Sequence, residues 1–347
     1  IDAIRQKKLH EQHHSKIGLA LKSEWTLAPT VSQFFLTNEI EDSQLRMIFA
    51  CCHPSIPYES QLALTLKTLC GLSISEIASS FLTNSETITK RLYRAREKIR
   101  EENISLEAPI PAELPGRLDA VLHSLYLLFN EGYNSSHPDV LIRHDLCEEA
   151  IRLCLLLVNN PVTSAPRAKA LLALMCFQAS RSDARMDTDG SIILLKDQDR
   201  SRWSQALIEK GKYYLEQAAE GEAFSEYHLE AVIAGCHARA KTFAETDWVQ
   251  IEKLYSYLAS IKPTPIVELN KAIAIGYASS PQDGLLALRK IKNLDHHYLY
   301  HSAIGDFHAT LGEGEEARSS YERALSLTSS SAEKKLLRSK LEKYSRG

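Results

Sequence analysis

Basic side chains are concentrated in one short part of this 347-residue chain. Between positions 85 and 100, the only acidic residues are Glu86 and Glu97, and six residues are basic: Lys90, Arg91, Arg94, Arg96, Lys98 and Arg100. Lys and Arg bind phosphates and donate hydrogen bonds to base edges, so this segment has the chemistry of nucleic-acid contact. The whole chain has a net charge of −3, which argues against a general nucleic-acid coat protein.

The residues around the basic segment predict three short helices. An apolar helix over 62–69 ends at Gly71, and the spacing of Ser73 and Glu76 is that of a capping box that begins a second helix. Ser85-Glu86-Thr87 is expected to cap a third helix that runs to about Arg100. Two short helices joined by a tight turn predict a helix-turn-helix.

The third helix sorts its apolar and polar residues onto different faces. Ile88, Leu92 and Ala95 are spaced to face the core. The residues left free for hydrogen bonds and charge contacts are Thr87, Thr89, Lys90, Arg91, Tyr93 and Arg94. A basic helix taken alone could equally be the solvated face of an ordinary bundle, but this sorting favours DNA recognition.

Two stretches of this unit carry a resemblance to a known family. Residues 72–78 are Leu-Ser-Ile-Ser-Glu-Ile-Ala, and residues 87–100 are Thr-Ile-Thr-Lys-Arg-Leu-Tyr-Arg-Ala-Arg-Glu-Lys-Ile-Arg. Together they resemble region 4 of the extracytoplasmic-function (ECF) sigma factors. The resemblance implies that the third helix contacts the promoter −35 element, that bacterial core RNA polymerase is a partner, and that no cofactor is needed. It implies base contacts at Thr89, Lys90, Tyr93 and Arg94, and backbone contacts at Ser85, Thr87 and Arg91.

The same resemblance divides the chain into domains. Ile1 to Arg5 resembles the end of sigma region 2, so we expect the end of that region at 1–9, a linker at 10–40, region 4 at 41–106 and an extension at 107–347. Most of region 2 is then expected upstream, and the chain alone is expected to bind DNA weakly or not at all. The alternative is a polymerase-independent helix-turn-helix regulator that senses a ligand or peptide, and the sequence upstream of Ile1 would distinguish the two.

An all-α fold is predicted, because apolar residues recur at three- and four-residue spacing through most of the chain. The only stretch with an extended pattern is 191–195, which is expected to form a small hairpin or a buried connector after Gly190. Three prolines between Pro109 and Pro115 are expected to break any helix there and to separate the basic unit from the extension.

The extension is expected to be TPR-like from about residue 264. Gly305, Ala317, Tyr321 and Ala324 are at the offsets of TPR packing residues. Residues 129–133, 145–153 and 195–203, together with Cys51-Cys52-His53-Pro54, resemble hallmarks of an ECF subgroup with a C-terminal TPR-like domain. Residues 107–347 carry 28 Lys and Arg against 32 Asp and Glu, so a protein or peptide partner is expected for the extension.

Several polar residues of the extension raise the question of a catalytic or metal site. They are Asn130, Glu131, Asp145, Glu148, Glu149, Asp197, Asp199, Arg200 and Arg202. Because Leu, Phe and Trp surround them on helices, buried hydrogen-bond and salt-bridge networks are favoured over catalysis, and the chain is not expected to be an enzyme. Neither the group His296, His297, His301 and His308 nor Cys51-Cys52-His53 makes a complete zinc ligand set, so no metal is expected.

A cytoplasmic protein without membrane contact is expected. The N-terminal residues lack the apolar core of a signal peptide, and no apolar run is long enough to span a membrane. The seven cysteines are odd in number and scattered among apolar residues, which is typical of reduced core cysteines.

The segment from Pro109 to Pro115 also predicts where the extension lies. Seven residues of proline-rich chain are stiff and span about 20 Å, so the extension should pack on residues 41–106. Deleting 114–347 from the full-length factor should therefore change transcription from its own promoter, while residues 41–106 stay folded. In vitro transcription and circular dichroism of the isolated 41–106 unit measure these two outcomes. Unchanged promoter activity would mean that the extension plays no part in transcription.

Overall fold

The structure is a computed structural model that describes residues 40, 42–107, 109–220 and 224–344, and these residues are mostly helical. The helices are α1 (Ser43–Cys51), α2 (Tyr58–Thr68), α3 (Ile74–Ser80), α4 (Ser85–Glu101), α5 (Leu114–Tyr133), α6 (His144–Asn159), α7 (Pro166–Ala179), α8 (Gln205–Ala218), α9 (Glu226–Arg239), α10 (Trp248–Ile261), α11 (Pro265–Ala278), α12 (Pro281–Leu288), α13 (Tyr298–Leu311), α14 (Gly314–Leu327) and α15 (Ser331–Glu342). The predicted all-α fold is confirmed.

The described residues form two compact units. The first contains the residues up to Ala179 together with 209–220, and the second contains 180–208 and 224–344. The first unit continues across the boundary predicted at residue 107, so α5 to α7 belong to the same compact unit as the helix-turn-helix. The predicted end of sigma region 2 at 1–9 and the predicted linker up to residue 39 lie outside the described part of the chain.

The predicted helix-turn-helix is formed by α2, α3 and α4. Helix α2 is followed by Gly71, whose φ of 70° is a left-handed conformation that favours glycine. Ser73 and Glu76 form the predicted capping box at the start of α3. Helix α4 differs in its cap, because the side chain of Asn84, and not Ser85, accepts the hydrogen bond from the Thr87 N–H at 2.8 Å. Ser85 is therefore the first residue of α4.

Helix α5 lies directly against the helix-turn-helix. It packs on α1, α2 and α3, and its apolar stripe is buried at Leu118, Val121, Leu122 and Leu125. The side chain of Arg117, only 7% exposed, donates from Nη1 to the Phe49 carbonyl at the end of α1 at 3.2 Å. The prediction that the extension packs on the basic unit is confirmed for this part. Pro115 does not break the helix, because it lies in the first turn, where no N–H partner is needed.

Two arginines around α6 bind carboxylates that cap helices of the helix-turn-helix region. Arg152 donates from Nη1 to Asp42 Oδ2 at 2.7 Å, while Oδ1 of Asp42 caps α1 by accepting from the Leu45 N–H at 2.9 Å. Arg143 donates from Nη1 to Glu76 Oε1 at 2.9 Å, while Oε2 of Glu76 accepts from the Ser73 N–H at 2.6 Å. Each carboxylate therefore uses one oxygen for its own helix and the other for the extension.

The pKa values of both carboxyls reflect these contacts. Burial raises the pKa of Asp42, but hydrogen bonds from Arg152 and from the Leu45 N–H outweigh burial and hold it below the ordinary value. Burial likewise raises the pKa of Glu76, and hydrogen bonds from Ser73 together with the charge of Arg143 bring it below its ordinary value. Both carboxylates are therefore stabilised in their charged form.

The second unit contains successive helix pairs. Each helix from α10 to α15 packs on the next one along the chain. In the pair α13 and α14, the buried Ala317, Tyr321 and Ala324 occupy the predicted packing positions. A Cβ at Gly305 would lie 2.6 Å from the Tyr321 ring, so only glycine permits this close approach of the two helices.

A small hairpin forms at the predicted extended segment. Met186 and Ile192 make an antiparallel bridge, and the Ile193 N–H donates to the Arg185 carbonyl at 2.9 Å. The hairpin is joined to α15 by Lys335, whose Nζ lies 2.6 Å from Asp189 Oδ2. No helix in the described part of the chain has the length and apolar character needed to cross a membrane.

Replacing Arg152 tests the contribution of a capping carboxylate contact to stability. Arg152→Gln should lower the free energy of unfolding by about 1 kcal/mol, at the low end for charged hydrogen bonds because the pair is partly exposed. Lys98→Gln is the matched control, because it removes only an exposed pair with Glu102 in the same unit. It should lower the free energy of unfolding much less than Arg152→Gln does. Urea unfolding followed by circular dichroism measures both.

The same pair gives a pH dependence with a defined sign. Because the folded pKa of Asp42 lies below the ordinary 3.8, its contribution is fully present well above that value and is lost as the pH falls through the folded pKa. The stability difference between the parent chain and Arg152→Gln should therefore be constant near neutral pH and shrink below about pH 4. A difference that grows in acid would contradict this role for Asp42.

Candidate nucleic-acid interface

Helix α4 is held in place by one buried stripe. Ile88, Leu92 and Ala95 are buried, as predicted, and the helix packs on α2 and α3. At its N-terminus the Asn84 side chain accepts from both the Thr87 N–H and the Thr87 hydroxyl, at 2.8 and 2.9 Å. The core and the cap together fix the direction in which the opposite face of α4 points.

The exposed face of α4 contains most of the predicted DNA-contacting residues. Ser85, Thr89, Lys90, Tyr93 and Arg94 are all exposed. Tyr93 is 60% exposed, so both its ring and its hydroxyl can be reached from solvent. The face therefore presents three hydroxyls, an aromatic ring and two cations within about three helical turns.

Contacts within α4 occupy some of these groups in the free protein. Lys90 Nζ lies 2.6 Å from Glu86 Oε1, and the Tyr93 hydroxyl donates to Glu97. The hydrogen bond to Glu97 raises the pKa of Tyr93. The Thr89 hydroxyl donates to the Ser85 carbonyl at 2.8 Å. All these partners lie on the same exposed helix, so an incoming ligand can exchange them without disturbing the core.

Arg91 has a different environment from its neighbours. Its Nη2 lies 3.1 Å from Glu59 Oε2 on α2, and its guanidinium lies over the Phe81 ring at the end of α3, 5.0 Å from the centroid. The side chain is 24% exposed. In the free protein Arg91 therefore joins the recognition helix to both preceding helices. The DNA-backbone contacts predicted for Arg91 and Thr87 remain predictions for the DNA-bound state.

Two further cations lie on α4 without having been assigned a contact from the sequence. Arg96 and Arg100 are both exposed. Arg100 is 3.7 Å from Glu97, and no ion pair is found for Arg96 among the described residues. Both lie in the basic segment and in the stretch that resembles region 4, but the resemblance assigned no contact to them. They extend the basic face toward the C-terminal end of α4.

Glu131, Glu149 and Arg200, three of the polar residues weighed for catalysis, make structural contacts. Glu131, buried in α5, accepts from the Ser135 hydroxyl and the Ser136 N–H at 3.0 and 2.9 Å, and burial raises its pKa. Glu149 binds Arg152 through two hydrogen bonds of 2.8 Å. In the second unit, Arg200 donates to the carbonyls of His237 and Ala240 at 2.5 and 2.7 Å.

The cysteine and histidine residues weighed for metal binding lie in protein contacts as well. Cys51 and Cys52 are buried, and burial raises their thiol pKa values to about 11 and about 12. Cys52 Sγ is 3.8 Å from Thr65 Oγ1, and His308 Nδ1 is 2.5 Å from Glu313 Oε2. Among the described residues, no group of three or more His, Cys, Asp or Glu side chains is arranged to hold a metal ion.

Comparison with known proteins agrees with the position of this interface. Residues 46–99 match the sigma-70 region 4 family, and residues 117–219 match a family of unknown function called DUF6596. Over 302 residues the chain is 35% identical to the uncharacterized protein R00370 of Rhizobium meliloti (strain 1021). The aligned residues make up 87% of this chain and 71% of that protein. No solved structure matches the chain.

Replacing Arg91 tests whether this side chain stabilises the packing of α4 on α2 and α3 in the absence of DNA. Arg91→Ala should lower the free energy of unfolding by about 1–2 kcal/mol, because Glu59 loses its partner and Phe81 loses the stacked guanidinium. Arg96→Ala removes an exposed cation from the same helix and should change stability by less than about 0.5 kcal/mol. Urea unfolding without DNA measures the two, and equal stability of both variants would contradict the bracing role of Arg91.

Proposed function

We propose that this chain, whose residues 46–99 match sigma-70 region 4, is part of an ECF-type RNA polymerase sigma factor that recognises the promoter −35 element through α4. The observation that carries the proposal is the exposed face of α4, where Thr89, Lys90, Tyr93 and Arg94 point away from the buried stripe. An exposed polar and basic face at the N-terminal half of a second helix suits insertion into the major groove.

The roles of the residues follow from their chemistry. Lys90 and Arg94 donate hydrogen bonds to acceptors on base edges, and Tyr93 offers both a hydroxyl and an apolar ring for contact with a base. Arg96 and Arg100 lie further along the helix, where cations reach the phosphate backbone. An acceptor on a base edge would displace Glu86 from Lys90, since both bind the same ammonium group.

The partners proposed with this function are promoter DNA and bacterial core RNA polymerase. We propose a non-enzymatic role, because Glu131, Glu149 and Arg200, which were weighed for catalysis, are engaged in hydrogen bonds with other protein groups. The extension is proposed to be a TPR-like domain for regulation or protein interaction, since its helices pack pairwise along the chain. A cytoplasmic location belongs to the same proposal, because transcription takes place there.

The test begins with selection of duplexes from a DNA library with twelve randomised base pairs, at about 50 mM salt, where phosphate contacts are strong enough for the weak DNA binding expected of the chain alone to be detected. The recovered duplexes should share a short motif. Lys90→Ala and Arg94→Ala should each weaken binding to that motif by about 1–3 kcal/mol, measured by fluorescence anisotropy, with Lys212→Ala as an exposed control outside α4. Recovered duplexes without a shared motif, or affinities equal to the parent chain, would contradict the proposal.

A second arm tests the polymerase. Bacterial core RNA polymerase should retain the chain on an affinity column, and the motif duplex should be bound more tightly in the presence of core. Specific DNA binding without any association with core would instead favour the polymerase-independent regulator.

A further inference from the structure

A groove opens in the second unit beside the start of α11. Its volume is about 370 Å³, which lies within the usual range for ligand sites. Ala272 and Ile275 of α11 line it together with Ala287 of α12 and Ile291 just after α12. Ala272 is buried and the other three are half-buried, so these side chains form an apolar surface at the base of the groove.

Three lysines line the same groove. Lys271 comes from α11, while Lys290 and Lys292 come from the segment after α12. Lys290 and Lys292 are exposed, and neither forms an ion pair with another described residue. Lys271 lies 3.8 Å from Glu268, the one carboxylate among the lining residues. Lys340 of the same unit is paired much more closely, with its Nζ 2.6 Å from Asp306 Oδ1.

The N-terminus of α11 adds to this positive charge. Thr264 and Pro265 line the groove, and the Thr264 side chain caps the helix by accepting from the Val267 N–H at 3.3 Å. A helix N-terminus carries a partial positive charge from its aligned peptide dipoles. The groove therefore combines three ammonium groups and a helix N-terminus above an apolar base.

We propose that this groove binds an acidic segment of a partner polypeptide. Carboxylates of the segment pair with Lys290, Lys292 and Lys271, and an apolar side chain of the segment rests on Ala272, Ile275, Ala287 and Ile291. The proposal gives a chemistry to the partner of the extension, and it does not depend on DNA recognition by α4, so either proposal can fail alone.

A polypeptide fits this groove better than a nucleic acid does. A phosphate backbone gains nothing from an apolar base, and stable binding of DNA needs many cations spread along its length. Residues 107–347 instead carry 28 basic against 32 acidic residues, so a polyanion as long as a duplex would meet more repulsion than attraction. A short acidic peptide meets only the local charge of the groove.

The probe is a library of random dodecapeptides on beads, selected on the 347-residue chain at low salt. Recovered peptides should be enriched in Asp and Glu and should contain at least one large apolar residue. A fluorescein-labelled copy of the strongest peptide should bind Lys290→Glu/Lys292→Glu at least tenfold more weakly than it binds the parent chain. A version of the peptide with Gln for each Glu and Asn for each Asp should bind the parent chain at least tenfold more weakly than the acidic peptide does. Binding should also weaken with ionic strength.

The matched control is Lys241→Glu/Lys343→Glu, which makes the same change in charge at two exposed lysines outside the groove. This control should bind the peptide within about twofold of the parent chain, and circular dichroism should show that both double variants are folded. Recovered peptides without acidic enrichment, or equal loss in both double variants, would overturn the proposal. So would a random 20-base-pair duplex that loses affinity in Lys290→Glu/Lys292→Glu while acidic peptides do not.

Discussion

Two carboxylates join the helix-turn-helix region to the extension, because each of them binds in two directions. Asp42 and Glu76 cap α1 and α3 with one oxygen and bind Arg152 and Arg143 with the other. A helix cap ordinarily joins residues that are three or four positions apart. Here each capping carboxylate also binds an arginine more than 60 residues away, so it joins the start of a helix to another part of the fold. The isolated 41–106 unit would lose the partners of both carboxylates and of the Phe49 carbonyl. The structure therefore argues against the expectation from the sequence that this unit stays folded when residues 114–347 are deleted.

The features that were predictable from the sequence are those set by neighbouring residues. The capping box of Ser73 and Glu76, the turn at Gly71 and the buried stripe of α4 all depend on spacings of three or four residues. The cap of α4 was assigned one residue too late, because Asn84 and Ser85 are both good capping residues and only the geometry decides between them.

The features that could not be predicted are contacts between distant residues. Sequence spacing places Arg91 on the free side of α4, but Glu59 and Phe81 come close to it only once α2 and α3 are packed. In the same way, Arg200 stands in a motif rich in Asp and Arg, yet its guanidinium binds backbone carbonyls of α9 and the residue after it. A list of charged residues therefore does not show which charges are paired.

The charges of α4 divide into two groups with different consequences for binding. Arg91 has a partner on α2, so using it for a phosphate would cost the contact that orients the helix. Lys90 and Tyr93 have partners only on α4 itself, at Glu86 and Glu97, and these exposed contacts are weak in water. A ligand on this face can take over Lys90 and Tyr93 at little cost while Arg91 keeps the helix in place. Helix α5 leaves this face open, because it packs on α1, α2 and α3.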